Sequence, residues 1–231
     1  MTTTTNTSTT QETFTAFYDG WLNRHNTLQQ QLTTIIRQSN NNINVEHNEQ
    51  LHKLIQQVST HYQQYFDQKS LAIEEDIFLV CSPPWFTPFE QALFWVTEYP
   101  PSLVFRCLND LNLTTDQAQK VETVRAETAR KELEIGEAMA MVQESLAAAP
   151  LYGLVNRAER LVDGEIGELD DAMEEVKEAM RVVLVAADGL RGKAVGEVLS
   201  VLEVAQKVKF FAAIGEFRIR ARRVGLGMGG G

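Results

Sequence analysis

Five of the six prolines lie between Pro83 and Pro101, and none follows Pro150. Proline removes a backbone donor and clashes with the preceding helical turn. This distribution therefore leaves long stretches free to be helical and gathers the chain's corners into one short segment. The proline-poor stretches have helical apolar spacing. Phe14, Phe17, Trp21, Leu28, Leu32 and Ile35 recur at steps of three and four residues or their sum, and Leu51, Leu54, Val58, Tyr62 and Tyr65 follow suit, with Ile73 and Ile77 extending the stripe. Beyond the corner, Thr114-Thr115-Asp116 opens a helix to Ala149 with Val121, Val124, Thr128, Ile135, Met139, Val142 and Leu146 inward. Another helix, Leu169 to Ala187, turns Met173, Val176, Met180 and Val183 inward. Gly189 and Gly192 are expected to break or bend it before the spacing resumes at Val195, Val198, Leu199 and Leu202, and Phe210 to Arg223 makes a final amphipathic piece. No segment alternates with period two. The pattern predicts an all-α protein, a helical bundle of long amphipathic helices with a Pro/Trp-rich helix corner.

The ends differ from the middle. Residues 1–12, mostly threonine in the first ten, read as a disordered polar tail; 13–224 read as one helical domain; 225–231 read as a Gly-rich disordered tail. In the corner, Thr87-Pro88-Phe89-Glu90 has the composition of a capped helix start, with Thr87 as N-cap, Pro88 at the first position and Glu90 reaching back. Leu93, Trp95 and Val96 continue that helix toward Pro100-Pro101, after which Ser102 is placed to cap the next one.

The formal net charge is −10, yet Lys207, Lys209, Arg218, Arg220, Arg222 and Arg223 cluster near the end with Glu216 the one acid among them. An acidic body repels phosphate backbones, so broad nucleic-acid binding is disfavoured except through this basic piece. With Phe210, Phe211, Ile214, Phe217 and Ile219 it reads either as a calmodulin-like target or anion-binding surface, or as a C-terminal helix with a basic solvent face. Cys81 and Cys107 are too few for a disulfide framework or a cysteine-rich zinc site. The N-terminus has no apolar h-region and no stretch is long enough to span a bilayer, so no membrane is expected and an intracellular setting is.

Little points to catalysis. None of His25, His47, His52 and His61 stands at the i, i+4 spacing of a helical metal pair, and they read as surface or cap histidines. No phosphate-binding glycine loop exists, and no signature surrounds Cys81. Acid runs such as Glu74-Glu75-Asp76 and Asp170-Asp171 read as solvated faces or helix starts. The expectation is a non-enzymatic protein with no catalytic residues and no metal site.

The corner carries the specific signal. Pro83-Pro84-Trp85-Phe86-Thr87-Pro88-Phe89-Glu90-Gln91-Ala92-Leu93-Phe94-Trp95, then Pro101-Ser102-Leu103, resembles the core motif of the plant delay-of-germination family, whose domain also forms the C-terminal part of TGA-type bZIP transcription factors. The motif residues are Trp85, Pro88, Glu90, Trp95, Pro101 and Ser102. Phe17-Tyr18-Asp19-Gly20-Trp21-Leu22 resembles the family's N-terminal helix, and Glu178-Ala179-Met180, Ala187-Asp188-Gly189-Leu190-Arg191 and Gln206 match its later part. The likeness spans roughly residues 14 to 225.

The resemblance implies a regulator of seed dormancy and germination in abscisic-acid signalling, acting in nucleus and cytoplasm. Stand-alone members resemble inhibitors of type-2C protein phosphatases, and Asp19, Trp21 and Leu22 are the expected partner-binding residues. Other family members and bZIP factors are further partners it implies. One alternative is a transcription regulator or cofactor related to the TGA factors, with sequence-specific DNA binding at family level; no basic leucine zipper precedes the domain here, so direct DNA binding by this chain alone is not expected. Another is a small-ligand (lipid or haem) binding protein. The chain departs from the pattern in two places. Where the family usually has two glycines and an arginine after the second Trp, it has Thr97, Glu98 and Pro100; where some members have a haem-associated histidine pair, it has Arg218 and Arg222. Arginine is not a practical haem ligand, so no cofactor is expected.

Overall fold

Long amphipathic stripes form long helices. The structure, a computed structural model, describes residues 3–38, 45–148, 151–157 and 163–227. In chain order the helices are α1 (Thr3–Gln38), α2 (Val45–Glu75), α3 (Ile77–Cys81), α4 (Pro88–Ala92), α5 (Leu103–Arg106), α6 (Thr115–Ala147), α7 (Leu151–Asn156), α8 (Asp163–Val201) and α9 (Val204–Gly225). Among the described residues there is no strand, only an isolated bridge between Trp95 and Glu98. Helices α1, α2 and α9 pack on one another, α6 pairs with α8, and the short α3–α5 turn the chain between the two groups. Contacts of Tyr18 with Arg222 and of Gln29 with Ala212 show that α1 and α9 run antiparallel.

The apolar stripes meet in three clusters. The largest joins Phe14, Tyr18, Trp21, Tyr65, Trp85 and Phe86 to Val183 and Leu184 of α8. A second holds Phe105, Val121, Val198 and Phe210, and a third closes Leu32, Leu51, Leu54 and Val58 over Val208 and Phe211. Phe210 and Phe211 are thus core residues, and in this fold α9 is no free helix that a calmodulin-like protein could wrap.

Several boundaries differ from those the sequence suggested. Helix α1 starts at Thr3, ahead of residue 13, because neither proline nor glycine interrupts the chain before Gly20 and a packed helix propagates easily. Gly225 belongs to α9 rather than to a tail: a Cβ there would lie 2.0 Å from the Thr87 hydroxyl, so α9 meets the corner through that glycine. Residues 228–231 lie outside the described residues, as do Met1 and Thr2. Helix α8 is not broken at Gly189 or Gly192. Leu184, Ala187, Leu190, Ala194 and Val198, all 8% exposed or less, bind it along its length and outweigh about 1 kcal/mol per helical glycine.

The corner keeps its expected cap but not its expected length. Thr87 and Glu90 form a reciprocal capping box, as do Thr114 and Gln117 at the start of α6. However, α4 ends at Ala92, and Leu93, Trp95 and Val96 do not extend it. Val96 and Thr97 have φ of 48° and 65°, in the left-handed region that a helix cannot contain. Ser102 does not cap α5: its backbone is itself αR, and its hydroxyl donates instead to Glu132 on α6 at 3.1 Å. Asp76, read as part of an acidic face, caps α3 by accepting from the Phe78 and Leu79 amides, so α2 ends before Ile77. Leu146 is 38% exposed, not inward.

Candidate partner-binding cleft

Helix α1 places Asp19, Trp21 and Leu22 within one turn, and all three line a cleft of about 990 Å3 along the seam with α9, opposite Arg218, Ile219 and Arg222. Their accessibilities differ, as adjacent helical positions about 100° apart require. Trp21 is 1% exposed, whereas Leu22 is half-buried and Asp19 exposed. The Trp21 indole N–H donates to the His61 carbonyl at 2.9 Å, and its ring stacks on His25 and His61 at 4.8 and 4.4 Å. Trp21 therefore holds α1 to α2, and of the three expected partner-binding residues Asp19 and Leu22 are the ones with accessible surface.

His25 and His61 are not surface or cap residues. They are 5% and 4% exposed, carried inward by the same stripe as Trp21. Burial, with the Arg218 charge and each other's proximity, pushes the His25 imidazole down to about 3. Burial, with Arg24 and Arg218, takes His61 to about 4. Both are neutral at physiological pH. His52 is exposed.

Behind the cleft lies a set of charges that sequence reasoning did not assemble. Arg218 is covered on its faces by Trp21, Tyr62, Tyr65 and Tyr99, with the guanidinium carbon 5.2–6.0 Å from the ring centroids. It donates to Glu98 at 2.6 Å, and Glu98, 2% exposed, also accepts from the Tyr65 hydroxyl at 2.8 Å. Burial alone would raise the Glu98 carboxyl, but Arg218, Lys69 and Arg191 outweigh it and hold it down at about 2. Lys69, 1% exposed, pairs with Asp188 at 2.8 Å. Asp188 also accepts from Arg191 at 2.6 Å, and Arg191 donates to the carbonyls of Trp95, Val96 (2.9 Å), Glu98 (3.2 Å) and Tyr99 (2.8 Å). Arg191 thus clamps the left-handed loop at Val96 and Thr97.

The motif residues serve this arrangement. Trp85 is buried with its ring 4.2 Å from Phe14, and its carbonyl accepts from Arg222 at 3.0 Å. Glu90, 2% exposed, closes the Thr87 cap and meets Arg222 at 3.3 Å; Pro88 occupies the first turn of α4. The Trp95 ring lies under Arg191 at 5.4 Å and would touch a Cβ at Gly136 of α6. Pro101 is buried, and Ser102 ties α5 to α6. Arg218 and Arg222, which stand where the resemblance expects histidines, are ion-paired to the two glutamates of the corner. The sequence signal for this network was present in Asp188 and Arg191, one helical turn apart, and in the acidic residue after Thr97. No local pattern links them to position 218.

Among the described residues no group of three or more His, Cys, Asp or Glu could hold a metal ion, and no helix is long and apolar enough to cross a membrane.

Comparison with known proteins agrees with the corner. A family model described as seed dormancy control matches residues 28–110. Protein RESPONSE TO ABA AND SALT 1 of Arabidopsis thaliana is 34% identical over 94% of this chain and 96% of its own length. Protein ZW2, also of Arabidopsis thaliana, is 33% identical over 93% and 97%. The TGACG-sequence-specific DNA-binding protein TGA-2.1 of Nicotiana tabacum is 26% identical over 90% of this chain but only 45% of that protein. With its length shared almost end to end with relatives at this identity, the chain belongs to the seed dormancy control, or delay-of-germination, family.

Proposed function

We propose that the protein is a non-enzymatic regulator in abscisic-acid signalling that docks through the α1–α9 cleft onto a type-2C protein phosphatase and inhibits it, in nucleus and cytoplasm. The family, and a relative named for its response to ABA and salt, support the signalling context. The observation that carries the docking surface is the placement of Asp19 and Leu22 on the open rim of the cleft, above a rigid floor of Trp21 and Arg218. A fixed aromatic floor beneath one accessible apolar side chain suits protein recognition, since little ordering entropy is lost on contact.

Leu22→Ala and Trp21→Ala separate the roles. Leu22→Ala is expected to weaken phosphatase binding with little change in melting temperature, whereas Trp21→Ala lowers both, because a buried indole leaves a cavity costing about 3–5 kcal/mol. Normal phosphatase affinity in the Leu22→Ala protein would remove this cleft from the reading. A second reading, a transcriptional cofactor for bZIP partners, draws on the likeness to the C-terminal part of the TGA factors. Pulldown with the intact chain distinguishes the two by recovering phosphatases or bZIP proteins.

A further inference from the structure

The exposed ion pair between Glu127 and Lys193, 2.6 Å long, marks the outer seam of the α6–α8 pair. These helices run antiparallel, since Val121 shares a buried cluster with Val198, and Val142 shares one with Val176 and Met180. Met141 follows Glu127 by 14 residues, close to four helical turns, and Val182 precedes Lys193 by 11, close to three. Both therefore stand on the same seam as the ion pair, about one turn from each other. They are 70% and 60% exposed, and Ala186, between Val182 and Lys193, is exposed as well. Leu133 and Val185, also exposed, flank the seam on either helix. None of these residues lines the α1–α9 cleft.

The charges around this apolar strip leave one sign over. Between Arg130 and Glu144, and between Asp171 and Ala186, every cation is already matched: Arg130 and Lys131 with Glu134, Lys177 with Glu174, Arg181 with Glu74 and Glu178. Glu137, Glu144, Asp171 and Glu175 are exposed and have no ion-pair partner among the described residues. These unmatched carboxylates repel nucleic acid and anionic membrane and attract a cationic surface. A symmetric contact between two copies of the strip would oppose like charges. Two packed helices present a groove between their side-chain ridges into which a third helix fits, and Ala186 lets its backbone approach. Met141 is unbranched and adapts its shape to what it meets.

We infer that the α6–α8 seam docks a basic amphipathic helix of a partner protein. Its apolar side chains rest on Met141, Val182 and Ala186, and its Lys or Arg residues reach Glu137 and Glu144 on one side and Asp171 and Glu175 on the other. The strip from Val182 to Asp171 measures about 16 Å along α8, the length of about three turns of such a helix. An apolar strip bordered by unmatched charges of one sign is what distinguishes this face from the solvated sides of the other helices.

The test uses the full chain and a fluorescein-labelled peptide of about 18 residues, five helical turns, with Leu on one face and Lys on the other. Fluorescence anisotropy at about 0.15 M salt should show saturable one-to-one binding. A scrambled peptide, which keeps the charge and loses the apolar face, should bind roughly tenfold more weakly. The double variant Met141→Ser/Val182→Ser should lose roughly tenfold in affinity for the amphipathic peptide at an unchanged melting temperature, because both side chains are exposed. Leu71→Ser, at an exposed position of α2, should leave binding unchanged. Glu144→Gln/Glu175→Gln should weaken binding several-fold, and by less as salt rises. Absence of saturable binding, equal binding of the scrambled peptide, or full affinity in Met141→Ser/Val182→Ser overturns the site. A concentration-dependent dimer that the same double variant dissolves would assign the strip to a second copy and overturns the partner class.

Discussion

Replacing Glu98 with glutamine tests the buried ion pair directly, since it removes the charge and keeps the shape. The magnitude follows from two routes. A carboxyl held at about 2 instead of the usual 4.5 contributes about 3 kcal/mol of stability at neutral pH. Breaking a buried pair by removing one partner typically costs about 3–5 kcal/mol, because the other charge stays behind uncompensated. Here the residue left behind is Arg218, enclosed by four aromatic rings, and Lys69 and Arg191 also lose the carboxylate charge that they act on. Glu98→Gln should therefore lose about 3 kcal/mol in urea unfolding followed by circular dichroism, or roughly 6–12 °C in melting temperature for a chain of this size. Arg218→Met should lose a similar amount, and the double variant Glu98→Gln/Arg218→Met less than the sum of the two. In the wild type this contribution is complete above pH 4.5 and is lost as the pH falls toward 2, because the folded state is the more acidic one. A loss below 1 kcal/mol in Glu98→Gln, or additive losses in the double variant, would refute the pairing as a source of stability.

Three further outcomes follow from single sites. Gly189→Ala fills open space on an exposed helical face and should raise stability by about 1 kcal/mol; a lower melting temperature would mean that α8 bends there. Gly225→Ala drives a methyl group into Thr87 at the corner and should cost about 1–3 kcal/mol, and a neutral result would show that α9 does not seat on the cap. His25 and His61 take up protons more readily unfolded than folded, so their contribution is complete above pH 6.5 and is lost as the pH falls toward 4 and 3. Between pH 6 and 4.5 stability should drop by about 1.4 kcal/mol per pH unit for each imidazole. His25→Phe should flatten that slope in urea titrations at stepped pH, and an unchanged slope would place the titration elsewhere.

What could be read from the sequence was whatever local spacing determines. Helical periodicity put Trp21 on the inner stripe, and the separation of Thr87 from Glu90 gave a capping box that the structure contains. Periodicity fails where tertiary packing overrides a local preference. Gly189 and Gly192 look like breaks, yet the buried residues between and around them hold α8 straight through. His25 and His61 look solvent-facing because histidine is polar, yet their rings stack on an indole that leaves them no water. Helical spacing alone puts Asp19, Trp21 and Leu22 on one turn, but the α9 wall of the cleft opposite them lies nearly two hundred residues along the chain and has no local signature.

The two departures from the family pattern explain each other. Taken singly, Glu98 replaces an expected glycine and Arg218 an expected histidine, and each looks like a loss. In the fold they are hydrogen-bond partners 120 residues apart in sequence. The chain retains left-handed backbone at Thr97, the other position where glycine is expected, although a β-branched residue is disfavoured there. What holds it is Arg191, whose guanidinium gathers the carbonyls on both sides of Thr97 while Glu98 is drawn inward to Arg218. The same position in α9 cannot both offer an imidazole to a haem iron and neutralise Glu98. A histidine at 218 would be shorter than arginine, and one committed to a haem iron would be neutral and would leave the buried Glu98 carboxylate without its counter-charge. The ion pair and a haem ligand are therefore alternatives at this site.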